Sequence, residues 1–314
     1  MKKILVTGGA GNVGGALVEQ LIRDENNFVV IADNLSTGYL SKLPPQQTGN
    51  WKFIKADVNN YDEISAVMSE HFDYVFHFAA VVGVSRTQEN PISVLNDISG
   101  IRYILELSRM LSVKHVYFSS SSEVYGEPVE LPQHEYRTPL NSRVPYAVVK
   151  NVGECFFRSY QQEYGLPYTI FRFFNTYGPN QSTDFVVSKF LAAALRNEDI
   201  TIYGDGSQTR TFTYVDDTVN TCIAILNKGL LVNDVVNIGS DKLMTVLELA
   251  QLVIRIAGSR SKIIHLPALK EGDMTRRQPD NTKMKEILGT ELIPVEEGIR
   301  RMMTDKKYLA SIGM

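Results

Sequence analysis

The chain offers little sulfur chemistry. Its 314 residues include only two cysteines, Cys155 and Cys222, far apart and outside any metal-binding spacing. That excludes a disulfide scaffold and a cysteine-based zinc site. Both sit in helix-like apolar patterns and are expected to be free, buried thiols in a reducing compartment. No run approaches the ~18 apolar residues that a membrane span needs. Met1-Lys2-Lys3 is basic, but the apolar run after it is too short for a signal peptide and is better read as a first strand. Charge of one sign is also missing. With 32 Lys and Arg against 35 Asp and Glu, the net charge is −3, which gives no support for nucleic-acid binding. Repeats and low-complexity stretches are absent. A cytoplasmic protein without metal, membrane or nucleic-acid partners is expected.

What the sequence does hold is alternation. Short, continuously apolar strands are predicted at Lys3–Thr7, Phe28–Ala32, Lys52–Ala56, Tyr74–Phe78, His115–Ser119 and Tyr168–Phe173. Such runs suit strands buried on both faces of a parallel sheet. Helices fit between them at Asn12–Arg23, Tyr61–Glu70, Ile92–Leu111 and Pro145–Tyr164. This is the β-α-β order of a doubly wound α/β fold. After Asn175 the loops become rich in Gly, Asp, Asn and Thr, with helices predicted at Phe185–Arg196, Asp216–Asn227, Val246–Ala257 and Val295–Thr304. The expectation is a Rossmann-type parallel sheet over residues 1–175, to which segments near 211–240 return. A smaller C-terminal α/β substrate lobe is expected mainly over 176–314.

The first strand runs into Thr7-Gly-Gly-Ala-Gly-Asn-Val-Gly14. Glycines at 8, 11 and 14 let backbone N–H groups approach a pyrophosphate, and the helix opening at Asn12 and Val13 points its positive end the same way. The second strand ends at Asp33-Asn34, 19 residues beyond Gly14 (33 − 14). An acidic side chain about 20 residues after such a turn accepts hydrogen bonds from the adenosine ribose and repels a 2′-phosphate, which favours NAD over NADP. Asp57 and Val58, after the third strand, could contact the adenine. Phe78, Ala79 and Ala80, after the fourth, are small enough in sum to let the backbone pass close to the cofactor. His77 before them is read as a packed sheet residue.

Tyr146-Ala-Val-Val-Lys150 lies in a predicted helix, so both side chains share a face. A nearby ammonium stabilises a phenolate, and a tyrosine tuned in this way can act as a general base. The run Ser119-Ser-Ser-Ser122-Glu123-Val-Tyr-Gly126 follows the fifth strand and supplies a hydroxyl for the same reacting oxygen. Together these motifs resemble the extended short-chain dehydrogenase/reductase family, within it the nucleotide-sugar epimerases, dehydratases and decarboxylases, over nearly the whole chain. The resemblance implies Ser121 as the catalytic hydroxyl, Tyr146 as the base and Lys150 as its partner on the nicotinamide ribose. It also implies Glu123 as a further catalytic candidate and Ser122 as a substrate contact. Arg172-Phe-Phe-Asn175 is similar to a segment whose Asn binds the diphosphate, and Thr209-Arg210-Thr-Phe-Thr-Tyr to one whose Arg reaches a phosphate. Lys270-Glu-Gly-Asp273 is similar to R-E-G-D, which implies Lys270 and Asp273 as substrate contacts. Arg277 follows in an R-R-Q-P-D run familiar in decarboxylases.

All members of such a group start by oxidising the sugar at C4. Ser121-Ser122-Glu123 lacks the Asp of the usual T-D-E dehydratase pattern and is closer to the T-S-E or S-E of glucuronate decarboxylases. The loop Ala80–Pro91 and the pair Lys150-Asn151 resemble epimerases instead. A 4-epimerase is therefore the first expectation, followed by UDP-glucuronate decarboxylase and then by a 4,6-dehydratase, 4-oxidase or 4-reductase. A non-catalytic NAD-binding regulator is the alternative of a different class. The resemblance further implies a homodimer through the helices Ile92–Leu111 and Pro145–Tyr164, with Ile101, Leu105, Phe156 and Tyr160 on their apolar faces.

Overall fold

The computed structural model describes residues 1–45, 49–267 and 276–314. Thirteen strands are found among them. Six are β1 (Lys2–Thr7), β2 (Asn27–Asp33), β3 (Trp51–Lys55), β4 (Tyr74–His77), β5 (His115–Ser121) and β6 (Tyr168–Phe173). The others are β7 (Thr176–Tyr177), β8 (Ile200–Tyr203), β9 (Thr209–Thr211), β10 (Thr213–Tyr214), β11 (Asp234–Ile238), β12 (Leu243–Thr245) and β13 (Ile263–Leu266). Seven form one parallel sheet in the order β11-β6-β5-β4-β1-β2-β3. The strand order reverses between β1 and β4, and a crevice opens at such a switch point, outside the carboxyl ends of the strands.

Alternation along each strand builds two cores. Ile4, Val6, Val29, Ile31, Phe76 and Phe171 face one side, where Leu17 and Val18 of the helix Asn12–Leu21 and Val219 and Ile225 of the helix Val215–Lys228 cover them. Leu5, Val30, Val75, Val116 and Ile170 face the other, under Ile64 of the helix Tyr61–Met68, Ile104 of Asp97–Met110 and Phe157 of Pro145–Tyr164. Burying apolar side chains on both faces, each contributing about 1.5–3 kcal/mol, holds the strand ends that carry the polar residues.

Four expectations change. The predicted helix Ile92–Leu111 is split into Pro91–Leu95 and Asp97–Met110, with the Asn96 N–H shared between the carbonyls of Ile92 and Val94. Cys222 is buried, but Cys155 lies on the open face of its helix and is exposed. Strand β5 runs on to Ser121 because Ser119, Ser120 and Ser121 pair with Phe171, Arg172 and Phe173, although serine by itself favours turns. Ile101 and Leu105, expected at a dimer face, are 2% and 1% exposed within the core against the sheet. Phe156 and Tyr160 are half-buried.

The C-terminal part holds three small ladders, β7 with β10, β8 with β13 and β9 with β12. Its helices include Val186–Leu195 and Val246–Ala257, the latter opened by a capping box. There Thr245 Oγ1 accepts the Glu248 N–H at 3.0 Å, and Glu248 Oε2 accepts the Thr245 N–H at 2.7 Å. No helix among the described residues is long and apolar enough to cross a membrane.

Candidate active site

A cleft of about 1110 Å³ opens over the switch point. The glycine turn forms its floor. Gly8 has φ +71°, and a Cβ there would lie 2.7 Å from the Ala79 nitrogen; a Cβ on Gly14 would lie 2.3 Å from the Gly8 carbonyl oxygen. Only glycine permits this closeness between β1, β4 and the following helix. Thr7 Oγ1 accepts N–H bonds from Phe78 and Ala79 at 3.2 Å each, which locks the turn to β4. Its hydroxyl meets His77 Nδ1 at 2.9 Å. Burial, with Lys150 nearby, pushes His77 down to about 3, so its imidazole is neutral and structural.

The helix Asn12–Leu21 starts at the cleft with no side chain capping it at Gly11. Its first N–H groups have no partner within the helix. Asn12 Oδ1 is buried and has no hydrogen-bond partner. Asp33 closes the other end of this floor: its Oδ2 accepts the Ala10 N–H at 3.0 Å and its Oδ1 the Leu35 N–H at 2.8 Å. Asn34 Nδ2 donates to Asp57 Oδ2 at 3.1 Å. Val13, Val58, Phe78, Ala79 and Ala80 also line the cleft.

Ser121, Ser122, Glu123, Tyr146 and Lys150 line the deeper end. Burial pushes the Tyr146 phenol up, Glu123 adds to that, and the Ser121 hydroxyl and Arg277 pull the other way. Lys150 is 2% exposed, and its Nζ donates to Ser119 Oγ at 3.4 Å. That Nζ also lies 5.1 Å from the centre of the Phe118 ring and 5.6 Å from that of Tyr146. Burial lowers Lys150 to about 8, against the opposing charge of Asp97. The ammonium expected to act chiefly on the phenolate thus donates to Ser119, while the Ser121 hydroxyl, by a hydrogen bond, and Arg277, by its charge, favour the phenolate. Arg277 NH2 pairs with Glu123 Oε1 at 2.5 Å within the cleft.

Asn175 lines the cleft and donates to the Thr211 carbonyl at 3.1 Å. Arg210 is buried on β9, donates to the Thr209 carbonyl at 2.8 Å, and is not among the cleft-lining residues. Lys270 and Asp273 lie outside the described residues. Asp97 and Lys42 are among the cleft residues that went unread in the sequence. Asp97 accepts the Val81 N–H at 2.7 Å and Asn59 Nδ2 at 3.0 Å, and Lys42 Nζ donates to the Asn180 carbonyl at 2.6 Å. Neither stands in a pattern that marks it; both are ordinary loop or helix-start residues until the fold brings them in.

Residues 4–239 match the model of the NAD dependent epimerase/dehydratase family. The chain belongs to that family. A UDP-N-acetyl-alpha-D-glucosaminuronate decarboxylase of Bacillus cytotoxicus is 36% identical over 299 residues, 91% of each chain. A putative UDP-glucose 4-epimerase of Methanocaldococcus jannaschii is 36% identical over 310 residues, 96% of this chain and 97% of that one. The UDP-glucose 4-epimerase of Thermotoga maritima, solved with UDP-glucose, superimposes with a TM-score of 0.90 at 34% identity over 98% of both chains. The family comprises epimerases, decarboxylases and dehydratases that act on nucleotide sugars, and its cofactor is NAD.

The cleft fits that cofactor. The glycine cradle leaves backbone open where any side chain would fill it, the uncapped helix end suits a pyrophosphate, and Asp33 stands at the end of β2 as an acceptor. The volume exceeds the roughly 300–1,000 Å³ of a typical small-molecule site, which leaves room for a second ligand beside the dinucleotide.

Proposed function

We propose that this chain is a nucleotide-sugar 4-epimerase working through a 4-keto sugar on a UDP-linked substrate. Gly8, Gly11, Asn12, Val13 and Gly14 hold the pyrophosphate, and Asp33 and Asn34 the adenosine ribose. Asp57 and Val58 flank the base, and Phe78, Ala79 and Ala80 line the path to the nicotinamide. The nicotinamide supplies a reversible hydride acceptor and, when oxidised, a positive charge. Tyr146 takes the proton of the sugar 4-hydroxyl, Ser121 shares that oxygen, and Lys150 holds the ribose. Ser122 and Asn175 contact the substrate.

The observation that carries the epimerase reading is the Glu123–Arg277 pair, 2.5 Å apart in the cleft. Its charges offset each other, which suits a neutral sugar. The second reading, a UDP-glucuronate decarboxylase, is favoured by the cation itself: Arg277 is 7% exposed and could receive a C6 carboxylate once Glu123 releases it.

Incubation with UDP-, GDP-, CDP- and dTDP-linked glucose, galactose and glucuronate, followed by NMR, separates the two. Inversion at C4 is expected; a pentose with released CO₂ overturns the epimerase assignment. Arg277→Gln should lower epimerisation by about tenfold or less, whereas a decarboxylase should lose on the order of a hundredfold or more with the partner of its carboxylate.

The same proposal includes a homodimer, with the interface moved to where the helix Pro145–Tyr164 is open. Val148, Val152, Cys155, Phe156 and Ser159 line a shallow groove there. Light scattering at micromolar concentration should give twice the 35.2 kDa chain mass, and Val152→Glu should return a monomer. A monomeric wild type would dismiss the dimer.

A further inference from the structure

Below the proposed reacting groups lies a buried polar network that the reaction as described does not use. Glu154 continues the face of Tyr146 and Lys150 by one more turn, at i, i+4 and i+8 on the helix Pro145–Tyr164. It is 0% exposed. Its Oε1 accepts Ser120 Oγ at 2.7 Å and Arg172 Nε at 2.8 Å; its Oε2 accepts Arg172 NH2 at 2.7 Å and Arg158 NH2 at 2.8 Å. The Arg172 contact is the bidentate fork that gives the strongest and most directional ion pairs.

From Arg172 the network runs on. NH1 donates to the Tyr125 hydroxyl at 2.8 Å and to the Glu135 carbonyl at 3.0 Å. Tyr125 donates to Asn237 Oδ1 at 2.7 Å, Asn237 Nδ2 donates to the Gln133 carbonyl at 2.8 Å, and the Gln133 N–H to the Gln278 carbonyl at 2.7 Å. The chain of bonds thus joins Ser120, one residue before Ser121, to the backbone next to Arg277.

We propose that Glu154 is a positioning residue, which together with Arg172 clamps Ser120 and so fixes the turn of Ser121 and Glu123 against Tyr146 and Lys150. A buried carboxylate is costly unless it is fully paired. Here every bond has a use: two hold the arginine, one compensates charge from Arg158, and one reaches the strand end where the chemistry sits. Without the Ser120 bond, the end of β5 loses a 2.7 Å side-chain tie to the helix that carries the base, beside the longer Lys150–Ser119 bond at 3.4 Å. Misplacement by about 1 Å is enough to cost on the order of a hundredfold in rate.

The inference rests on Ser121 and Tyr146 being the reacting pair, so the test keeps the two apart. The probe is UDP-glucose, or UDP-glucuronate where the wild type converts that acid instead, and the readouts are kcat, KM and content of bound NAD. Ser120→Ala, which leaves the Glu154–Arg172 pair intact, should lower kcat on the order of tenfold to a hundredfold with KM and bound NAD nearly unchanged. Ser120→Thr, which keeps the hydroxyl, should restore most of the rate. Glu154→Gln, which weakens the Arg172 and Arg158 pairs as well as the Ser120 contact, should lower kcat at least as much, and adding Ser120→Ala to it should cost less than Ser120→Ala alone, since both act on that contact. If Glu154→Gln fails to fold, Ser120→Ala and its threonine rescue decide alone. Unchanged kcat in Ser120→Ala, with Tyr146→Phe inactive beside it, overturns the positioning role and leaves the site assignment standing. Turnover in Tyr146→Phe, or a wild type silent on both sugars, overturns the site assignment and this inference with it.

Discussion

Tyr146→Phe is expected to lower kcat on the order of 10²–10⁴-fold while the protein keeps its fold and its NAD. The substitution removes one oxygen. The ring that packs against the core beneath the helix Pro145–Tyr164 is retained, and so is the aromatic face 5.6 Å from the Lys150 ammonium. The ties of Lys150 to Ser119 and of Glu123 to Arg277 do not pass through the phenol. What is lost is the phenol oxygen proposed to take the proton. In the protein alone burial holds that phenol protonated, with Glu123 and Asp97 reinforcing the effect and Ser121 and Arg277 opposing it. On the proposed mechanism it would become a base when further positive charge, such as that of an oxidised nicotinamide, lies beside it. The measurement is a single turnover followed by the near-ultraviolet absorbance of reduced nicotinamide, alongside extraction of bound NAD. A variant that loses NAD along with activity would show a binding role. One that keeps NAD and loses less than about tenfold would place the base elsewhere. The same experiment addresses a purely regulatory NAD-binding protein, since such a chain would show no turnover for the substitution to remove.

The sheet was legible because its strands are short, apolar on both faces and separated by amphipathic helices. That pattern has few other solutions, and six of the seven strands of the sheet fall within two residues of their predicted bounds. One end of the cleft was legible for a related reason: Gly8, Gly14 and Asp33, which line it, stand at spacings that backbone geometry imposes. Pairing was harder to read. Ser120 and Ser121, beyond the end of the predicted strand, belong to it, because Arg172 and Phe173 of β6 hold them extended. The apolar faces of the two helices were visible, but periodicity does not tell which neighbour an apolar stripe meets, and Ile101 and Leu105 meet the sheet. Asp97, Lys42 and the clamp on Glu154 depend on contacts between residues tens to more than a hundred positions apart, such as Lys42 with Asn180. No local rule marks such residues. Glu154 comes nearest, since its i+8 relation to Tyr146 already placed it on the face of the base.

Gly14→Ala should weaken NAD binding roughly tenfold to a hundredfold, equivalent to about 1.4–2.8 kcal/mol, and should also lower the melting temperature. The cause is backbone, not ligand. The new Cβ would stand 2.3 Å from the Gly8 carbonyl oxygen, 2.9 Å from its carbon and 3.1 Å from Gly9 Cα. No flexible side chain is present to yield. Gly8 cannot easily recede, for its N–H is bonded to the Ala32 carbonyl at 2.8 Å, its carbonyl accepts the Gly11 N–H at 3.1 Å, and Ala79, just past the end of β4, lies close. The first turn of the helix must therefore tilt away from β1, and its N–H groups would leave the line proposed for the pyrophosphate. Overpacking of this kind costs about 1–3 kcal/mol of stability. Gly11→Ala provides the contrast. Its Cβ would meet only the Gly8 carbonyl oxygen, at 3.2 Å, and its backbone is extended at φ −88° and ψ −170°, which alanine adopts freely. It should keep the melting temperature and still weaken NAD, because it fills the approach to the helix end. Calorimetric titration with NAD and thermal unfolding of both variants read the two effects separately. An unchanged affinity in Gly11→Ala would mean that the phosphates do not lie over this helix, and an unchanged melting temperature in Gly14→Ala would mean that the turn is not packed as tightly as its atoms are placed.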